Sequence, residues 1–222
     1  MIITIDGPAG SGKSTVASLL SDKLNFIHFN SGALYRALTC YLHTNRFDFS
    51  TMKEDFPVFD LDLKAEFIDN VQHMFVNGTD FTHMLRNNEI SQLTPLVSLN
   101  KSLRNIIDRC QKDFCNKHNV VMEGRDLGSF VFPNAEIKFY LDCSIKERAR
   151  RRFLEEQQKN SVVSLAEIED QIAKRDNIDK TKPIAPLVVP KNAIIIDSST
   201  LTIEQVLNVM FDFVQTKLIK HN

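Results

Sequence analysis

Gly7-Pro8-Ala9-Gly10-Ser11-Gly12-Lys13-Ser14 matches G-x-x-x-x-G-K-[ST] at every fixed position, and Thr15 follows it. Residues of these types in this order can hold a polyphosphate. Glycines let the backbone turn successive N–H groups toward an anion, a lysine reaches the β- and γ-phosphates, and a hydroxyl at the last position is a hard oxygen ligand for magnesium. ATP and Mg2+ are therefore the expected cofactors, with Gly7 to Thr15 as nucleotide ligands and Ser14 as the metal ligand. The competing reading is a glycine-rich turn that binds nothing. Context argues against it: Ile2, Ile3 and Ile5 form a short β-branched run before the loop, and Val16, Leu19, Leu20 and Leu24 share one helical face after it. Strand, loop and helix is the setting the motif requires.

A phosphate loop does not specify a reaction, because GTPases, motor ATPases and small-molecule kinases share it. No N-K-x-D segment is present to read guanine, and no strand leads into a D-x-x-G switch. What remains is a small-molecule kinase, an ATP-driven machine coupled to a macromolecule, or a binding module without turnover. Three clusters of arginines and carboxylates bear on the choice. Asn30-Ser31-Gly32-Ala33-Leu34-Tyr35-Arg36 follows an expected strand at Phe26 to Phe29. Glu123-Gly124-Arg125-Asp126 stands at the carboxyl end of another, the edge where open α/β sheets bind ligands. Arg175-Asp176-Asn177-Ile178-Asp179-Lys180-Thr181-Lys182 places Arg175 and Asp179 four apart, on one face if helical. Each alone reads equally well as surface ion pairs; three beside a phosphate loop favour an anionic acceptor.

The elements that must position these groups are legible from periodicity. Short hydrophobic segments at Asn119 to Glu123, Ile137 to Leu141 and Ala193 to Asp197 read as strands covered on both faces. Helical patterns lie between and after them, at Leu103, Ile106, Ile107, Cys110 and Phe114, and at Ile203, Val206, Leu207, Met210, Phe213 and Val214. Strands alternating with helices predict a mainly parallel α/β sheet. Two stretches break the rhythm. Leu61 to Asp80 alternates around Asn77-Gly78 and predicts a hairpin in an inserted subdomain. Lys146 to Lys182 is densely charged, and by itself reads as a solvated helix pair.

Composition excludes several classes. With 222 residues, 43% apolar and 25% charged, the chain can bury one large core, and a net charge of -1 gives no basic field to draw it to nucleic acid. Cys40, Cys110, Cys115 and Cys143 contain no C-x-x-C pair and read as reduced structural thiols. The apolar start stops at Asp6, and nothing later approaches a membrane span, so a cytoplasmic protein without membrane or nucleic-acid partners is expected, working as a monomer.

With these residues in view, the chain resembles the bacterial cytidylate kinases of the nucleoside monophosphate kinase group. The resemblance runs from the phosphate loop through Ser31 to Arg36, Glu123 to Gly128, Val131-Phe132-Pro133-Asn134-Ala135 and Ala185-Pro186-Leu187 to Asp197-Ser198-Ser199. It implies a P-loop kinase core around a five-stranded parallel sheet (about 1–56, 103–145 and 184–222), a monophosphate-binding insert (about 57–102) and a short mobile lid (about 146–183). It also implies direct phosphorylation of CMP and dCMP by ATP, with UMP as an alternative acceptor. By resemblance Ser31, Arg36, Arg125 and Lys182 surround the acceptor phosphate, Arg175 and Asp179 lie near the ribose, and Arg104 and Asp126 face the cytosine. Lys13, Arg36, Arg125, Asp126, Arg175, Asp179 and Lys182 are then the catalytic set, while the lid residues Arg148 and Arg152 offset the charge of ATP. Apart from the resemblance, their place at a strand end makes Glu123 or Asp126 the expected holder of the magnesium through water. Three positions depart from the family: Asn30 stands where Asp is common, Lys182 where Arg usually lies, and Pro95 where a base-contacting Ser is expected. The second exchanges a planar fork for a point charge.

Overall fold

In chain order the elements are β1 (Ile2–Asp6), α1 (Lys13–Leu24), β2 (Ile27–Asn30), α2 (Ser31–Thr44), β3 (Leu63–Ile68), β4 (Val71–Val76), β5 (Thr79–Asp80), α3 (Asn88–Val97), α4 (Lys101–Cys115), β6 (Val120–Gly124), β7 (Ile137–Asp142), α5 (Ile145–Gln158), α6 (Leu165–Thr181), β8 (Ile194–Asp197) and α7 (Ile203–Ile219). This computed structural model describes residues 1–53, 61–69, 71–85, 87–158 and 163–219. Residues 54–56 and 220–222 of the expected core, 57–60, 70 and 86 of the insert, and 159–162 of the lid lie outside the described residues.

The main sheet has five strands, as the resemblance implies, in the order β2-β6-β1-β7-β8. β1 runs parallel to β6 and β7, and β7 parallel to β8. Register sets Asp6 beside Gly124 on one side and Tyr140 on the other, so the phosphate loop and the Gly124-Arg125-Asp126 turn leave the sheet at the same edge. Each strand starts or stops within a residue of its sequence expectation; β1, β6 and β7 are buried almost throughout, as expected, whereas β8 at the side of the sheet leaves Ile195 exposed and so is not covered on both faces.

The chain divides into two compact units, Met1–His28 with Val120–Asn222, and Phe29–Asn119. In the first, Ile3, Ile5, Val121, Phe139 and Leu141 from the sheet pack with Val16, Ala17 and Leu20 of α1 and with Val206, Leu207, Met210 and Val214 of α7. Burying each large aliphatic side chain there contributes about 1.5–3 kcal/mol. Helices α5 and α6 form the charged pair; α6 opens with a capping box in which Ser164 and Glu167 satisfy each other's backbone N–H.

The second unit holds α2, α3, α4 and a three-stranded antiparallel sheet β3-β4-β5. Asn77 and Gly78 both take positive φ, at 48° and 76°, which is the turn that joins β4 to β5. The rings of Phe29, Phe67 and Phe114 meet at 5.0 to 6.2 Å between centroids, Phe29 fully buried and the other two half-buried. The alternating stretch from Leu61 to Asp80 contains β3 as well as the hairpin, while the short helix α3, which contains Pro95, lies beyond it.

Candidate active site

The phosphate loop is built by steric exclusion. A Cβ on Gly7 would sit 2.2 Å from the Leu141 carbonyl oxygen, so only glycine lets β1 leave the sheet against β7. Gly12, at φ 95°, caps α1 in the left-handed region with no side-chain bond, leaving the N–H groups of the first turn for an anion. The loop is held from outside by two donors: Ser198 Oγ gives a hydrogen bond to Ser11 O at 3.1 Å, and Arg148 Nη1 gives one to Ala9 O at 3.1 Å.

Lys13 lies folded over the loop. Its buried ammonium donates to Pro8 O at 2.5 Å and to Ser11 Oγ at 3.4 Å. Burial, and next the Arg125 charge, hold its pKa well below the usual lysine range against the pull of Glu123, Asp6 and Asp179. Phosphate oxygens brought against this group favour its charged form, which is the electrostatics of an anion site.

Three carboxylates line the same sheet edge and do different work. Asp6 accepts the backbone N–H groups of Leu127 and Gly128 at 2.9 and 2.7 Å and so ties the end of β1 to the turn after Asp126. Burial pushes its pKa up to about 6, although those two donors oppose the rise. Glu123, also buried, accepts the Ser14 hydroxyl on Oε2 at 2.7 Å, and His28 Nε2 stands 3.5 Å from Oε1. Burial works to raise the Glu123 pKa, but His28, Ser14 and the Lys13 charge outweigh it and leave the carboxyl below its ordinary value. Asp126, third, stands 3.9 Å from the Lys182 ammonium.

Asp179, buried on α6, gathers two arginines. Arg125 Nε donates to its Oδ2 at 3.2 Å and Arg175 Nε at 3.4 Å, the spacing of four putting Arg175 on the same helical face as expected. Burial alone would raise its pKa, yet Arg125, Arg175 and Lys182 together bring it below the usual value. Two arginines that share one carboxylate can receive a dianion with little rearrangement. Arg148, by contrast, is 3% exposed and pairs twice with Asp176, at 3.0 and 2.6 Å, while its Nε bonds Cys143 O. Each of these acceptors belongs to the protein, whereas Arg152 is exposed on the same helix.

In the second unit Asn30 caps α2 by accepting Ala33 N–H at 3.1 Å, so the amide found in place of Asp still performs the cap. Ser31 is buried in the turn that follows. Arg36 Nη1 donates to Leu85 O and to Ser91 Oγ at 2.9 and 2.6 Å. Arg104 is buried on α4, bonds Ser98 O at 3.4 Å, and sets its guanidinium 5.8 Å from the Tyr35 ring centre. Near Pro95, Thr94 and Ser98 spend their hydroxyl protons on the carbonyls of Ile90 and Pro95, keeping acceptor capacity only.

A phosphate loop on a parallel sheet, with carboxylates and arginines at the carboxyl ends of β1 and β6, fits a phosphoryl transferase. The family model described as cytidylate kinase matches residues 3–216. The chain belongs to the cytidylate kinase family. It is 40% identical over 206 residues to the cytidylate kinase of Caldicellulosiruptor bescii, covering 92% of this chain and 91% of that one. Against the cytidylate kinase of Thermotoga maritima identity is 36% over 216 residues, 97% of each chain. Among solved structures, shikimate kinase from Bacteroides thetaiotaomicron shares the fold at 14% identity and a TM-score of 0.50, covering 97% of this chain and 98% of that one. The chain is thus a nucleoside monophosphate kinase that uses ATP.

Within the first unit the structure joins Arg125 and Arg175 to Asp179, Lys182 to Asp126 and Ser14 to Glu123, while Lys13 bonds its own loop and feels the charges of Arg125, Glu123 and Asp179. Reading the sequence passes over four others: Asp6, His28, Asp176 and Arg151, whose Nη2 bonds Ser198 O at 2.6 Å. A charged or polar residue inside an apolar strand, as with Asp6 and His28, is the one signal that was available for them. Among the described residues no helix is long and apolar enough to cross a membrane, no group of three His, Cys, Asp or Glu side chains could hold a metal, and the four cysteines are free thiols.

Proposed function

We propose that this cytidylate kinase family member transfers the γ-phosphoryl group of ATP directly to CMP and dCMP, giving CDP or dCDP and ADP, through the residues assigned below. The observation that carries the mechanism is the buried Lys13 beside a set of arginines compensated by a single carboxylate, Asp179. A loop lysine serves the donor phosphates; Arg125 and Lys182 serve an acceptor that is itself a dianion near neutral pH. Ser31, Arg36 and Arg104 from α2 and α4 bind the monophosphate in this reading, Arg175 and Asp179 serve its ribose, and Asp126 with Arg104 reads the cytosine.

An acceptor phosphate oxygen attacks the γ-phosphorus in line, the bond to the β-bridging oxygen breaks, and that oxygen leaves on ADP. The attacking oxygen carries no proton to remove, so no general base is required, and positioning with charge neutralisation supplies the catalysis. Magnesium fits the oxygen donors present, a Ser14 hydroxyl and the Glu123 carboxylate 2.7 Å apart, a sparse set of the kind this ion takes when phosphates and water complete its shell. When bound it neutralises developing charge on the transferred group. Helices α5 and α6, with Arg152 facing solvent, act as the lid in this proposal, and residues of about 57–102 as the monophosphate insert. A monomeric enzyme of the cytoplasm completes the proposal, free thiols according with a reducing compartment.

A coupled assay with CMP, dCMP, UMP, AMP and GMP tests the assignment. Turnover is expected with CMP and dCMP. ATP hydrolysis that answers to no monophosphate would return the chain to the ATP-driven machines.

A further inference from the structure

Glu123 has two oxygens, and the contact with Ser14 accounts for one of them. Oε1 is buried and has no hydrogen-bond partner among the described residues; Nε2 of His28 stands 3.5 Å away, equally buried and equally without one. The two atoms belong to strands that neighbour each other in the sheet, His28 in β2 and Glu123 in β6. The imidazole interrupts an apolar strand between Ile27 and Phe29, a place where a polar ring is kept by a partner. The final torsions of histidine and glutamate are broad, so a small swing of either group brings the pair to bonding distance.

The consequence concerns the Ser14 hydroxyl. To give a cation its oxygen lone pair, the hydroxyl must direct its proton elsewhere, and that proton goes to Glu123 Oε2 at 2.7 Å. A carboxylate free to rotate about its last torsion would not hold Oε2 there. We propose that His28 is a positioning residue for the nucleotide-bound cation: its Nε2–H engages Oε1, locks the rotation of the Glu123 carboxylate, and through Oε2 aims the Ser14 lone pair. The proposal rests on the reading of Ser14 and Glu123 as the groups that hold magnesium. It asks for a neutral imidazole with its proton on Nε2, which adds no charge to the site and leaves the carboxylate its own.

Calorimetric titration with ATP in excess Mg2+, and with ATP in EDTA, isolates the effect, since the ratio of the two dissociation constants is the gain due to the metal. In His28→Phe, which keeps a ring but has no donor, the affinity for metal-free ATP should stay as in the parent. The metal-dependent gain should fall about tenfold, the lower end for loss of a group that orients a metal ligand. His28→Gln, which restores an N–H donor, should recover most of the gain. The proposal is overturned if His28→Phe keeps the whole gain, if it weakens ATP equally with and without metal, or if Gln rescues nothing. Ser14→Ala and Glu123→Gln are titrated alongside. If both keep the parent gain, the metal reading itself fails and the role of His28 fails with it. If they lose the gain while His28→Phe does not, only the role of His28 is refuted.

Discussion

Replacing Asp176 by Asn removes the countercharge of a guanidinium that has almost no access to water. Arg148 and Asp176 side chains are 3% and 7% exposed, and their two hydrogen bonds are 3.0 and 2.6 Å long. The variant leaves Arg148 its bonds to Cys143 O and Ala9 O but nothing to balance its charge. Breaking a buried pair from one side costs about 3–5 kcal/mol, whereas an exposed pair is worth about 0–1 kcal/mol. For a chain of this length each kcal/mol moves Tm by about 2–4 °C, so Asp176→Asn should lower it by roughly 6–20 °C. Urea unfolding at neutral pH would measure the loss. The double variant Arg148→Met/Asp176→Leu should regain most of it, because apolar side chains of similar volume carry no desolvation cost. Its KM for ATP should nevertheless rise above that of the parent, since the bond from Arg148 to Ala9 O in the phosphate loop has gone. A loss below about 1 kcal/mol for Asp176→Asn, or a double variant no more stable than the single one, would refute the reasoning.

Lys13→Ala should lower kcat by about a hundredfold or more with an unchanged unfolding curve, and near-normal turnover would remove the loop from the chemistry. Asp179→Ala releases Arg125 and Arg175 together, so the KM for CMP should rise more than that for ATP; equal increases would indicate a structural role in α6. CMP should be preferred to UMP in kcat/KM by about 5- to 150-fold, because uracil turns one donor–acceptor match into a mismatch worth about 1–3 kcal/mol. Asp126→Asn and Arg104→Met should both erode that ratio, and if neither does, other groups read the base. Asp6 titrates at about 6 in the folded chain against about 3.9 unfolded, so its contribution to stability is complete below pH 4 and is lost as pH rises through 6. The stability of the parent relative to Asp6→Asn should fall between those values, and a flat difference would mean the carboxyl is not raised.

Much of this arrangement could be read before any coordinates. Strand limits came within a residue because turn residues bound each apolar run, and the Asn77-Gly78 turn followed from the backbone those two residues favour. The pairing of Arg175 with Asp179 was legible because it is local to one helix. Arg148 shows where such reasoning ends. The charged run alone read as a solvated helix pair, and the resemblance gave Arg148 to ATP, but it turns inward to Asp176, an acceptor 28 residues along the chain. Only the packing of α5 on α6 creates that contact. His28 and Asp6 are similar: their polarity inside apolar strands was visible, while their partners depend on which strands become neighbours.

The grip of Asp6 on Leu127 and Gly128 can be considered as a problem of tolerances. Parts located separately accumulate the errors of everything between them, whereas parts gauged from one datum edge do not. Asp6 closes β1 and leads directly into the loop that cradles the donor, and its two oxygens hold the turn that carries Arg125 and Asp126. Both are referred to a single carboxylate at the sheet edge, without passing through α5 and α6. Where a displacement of about 1 Å can cost a hundredfold in rate, such a common reference would let the proposed lid move while the reacting groups keep their alignment.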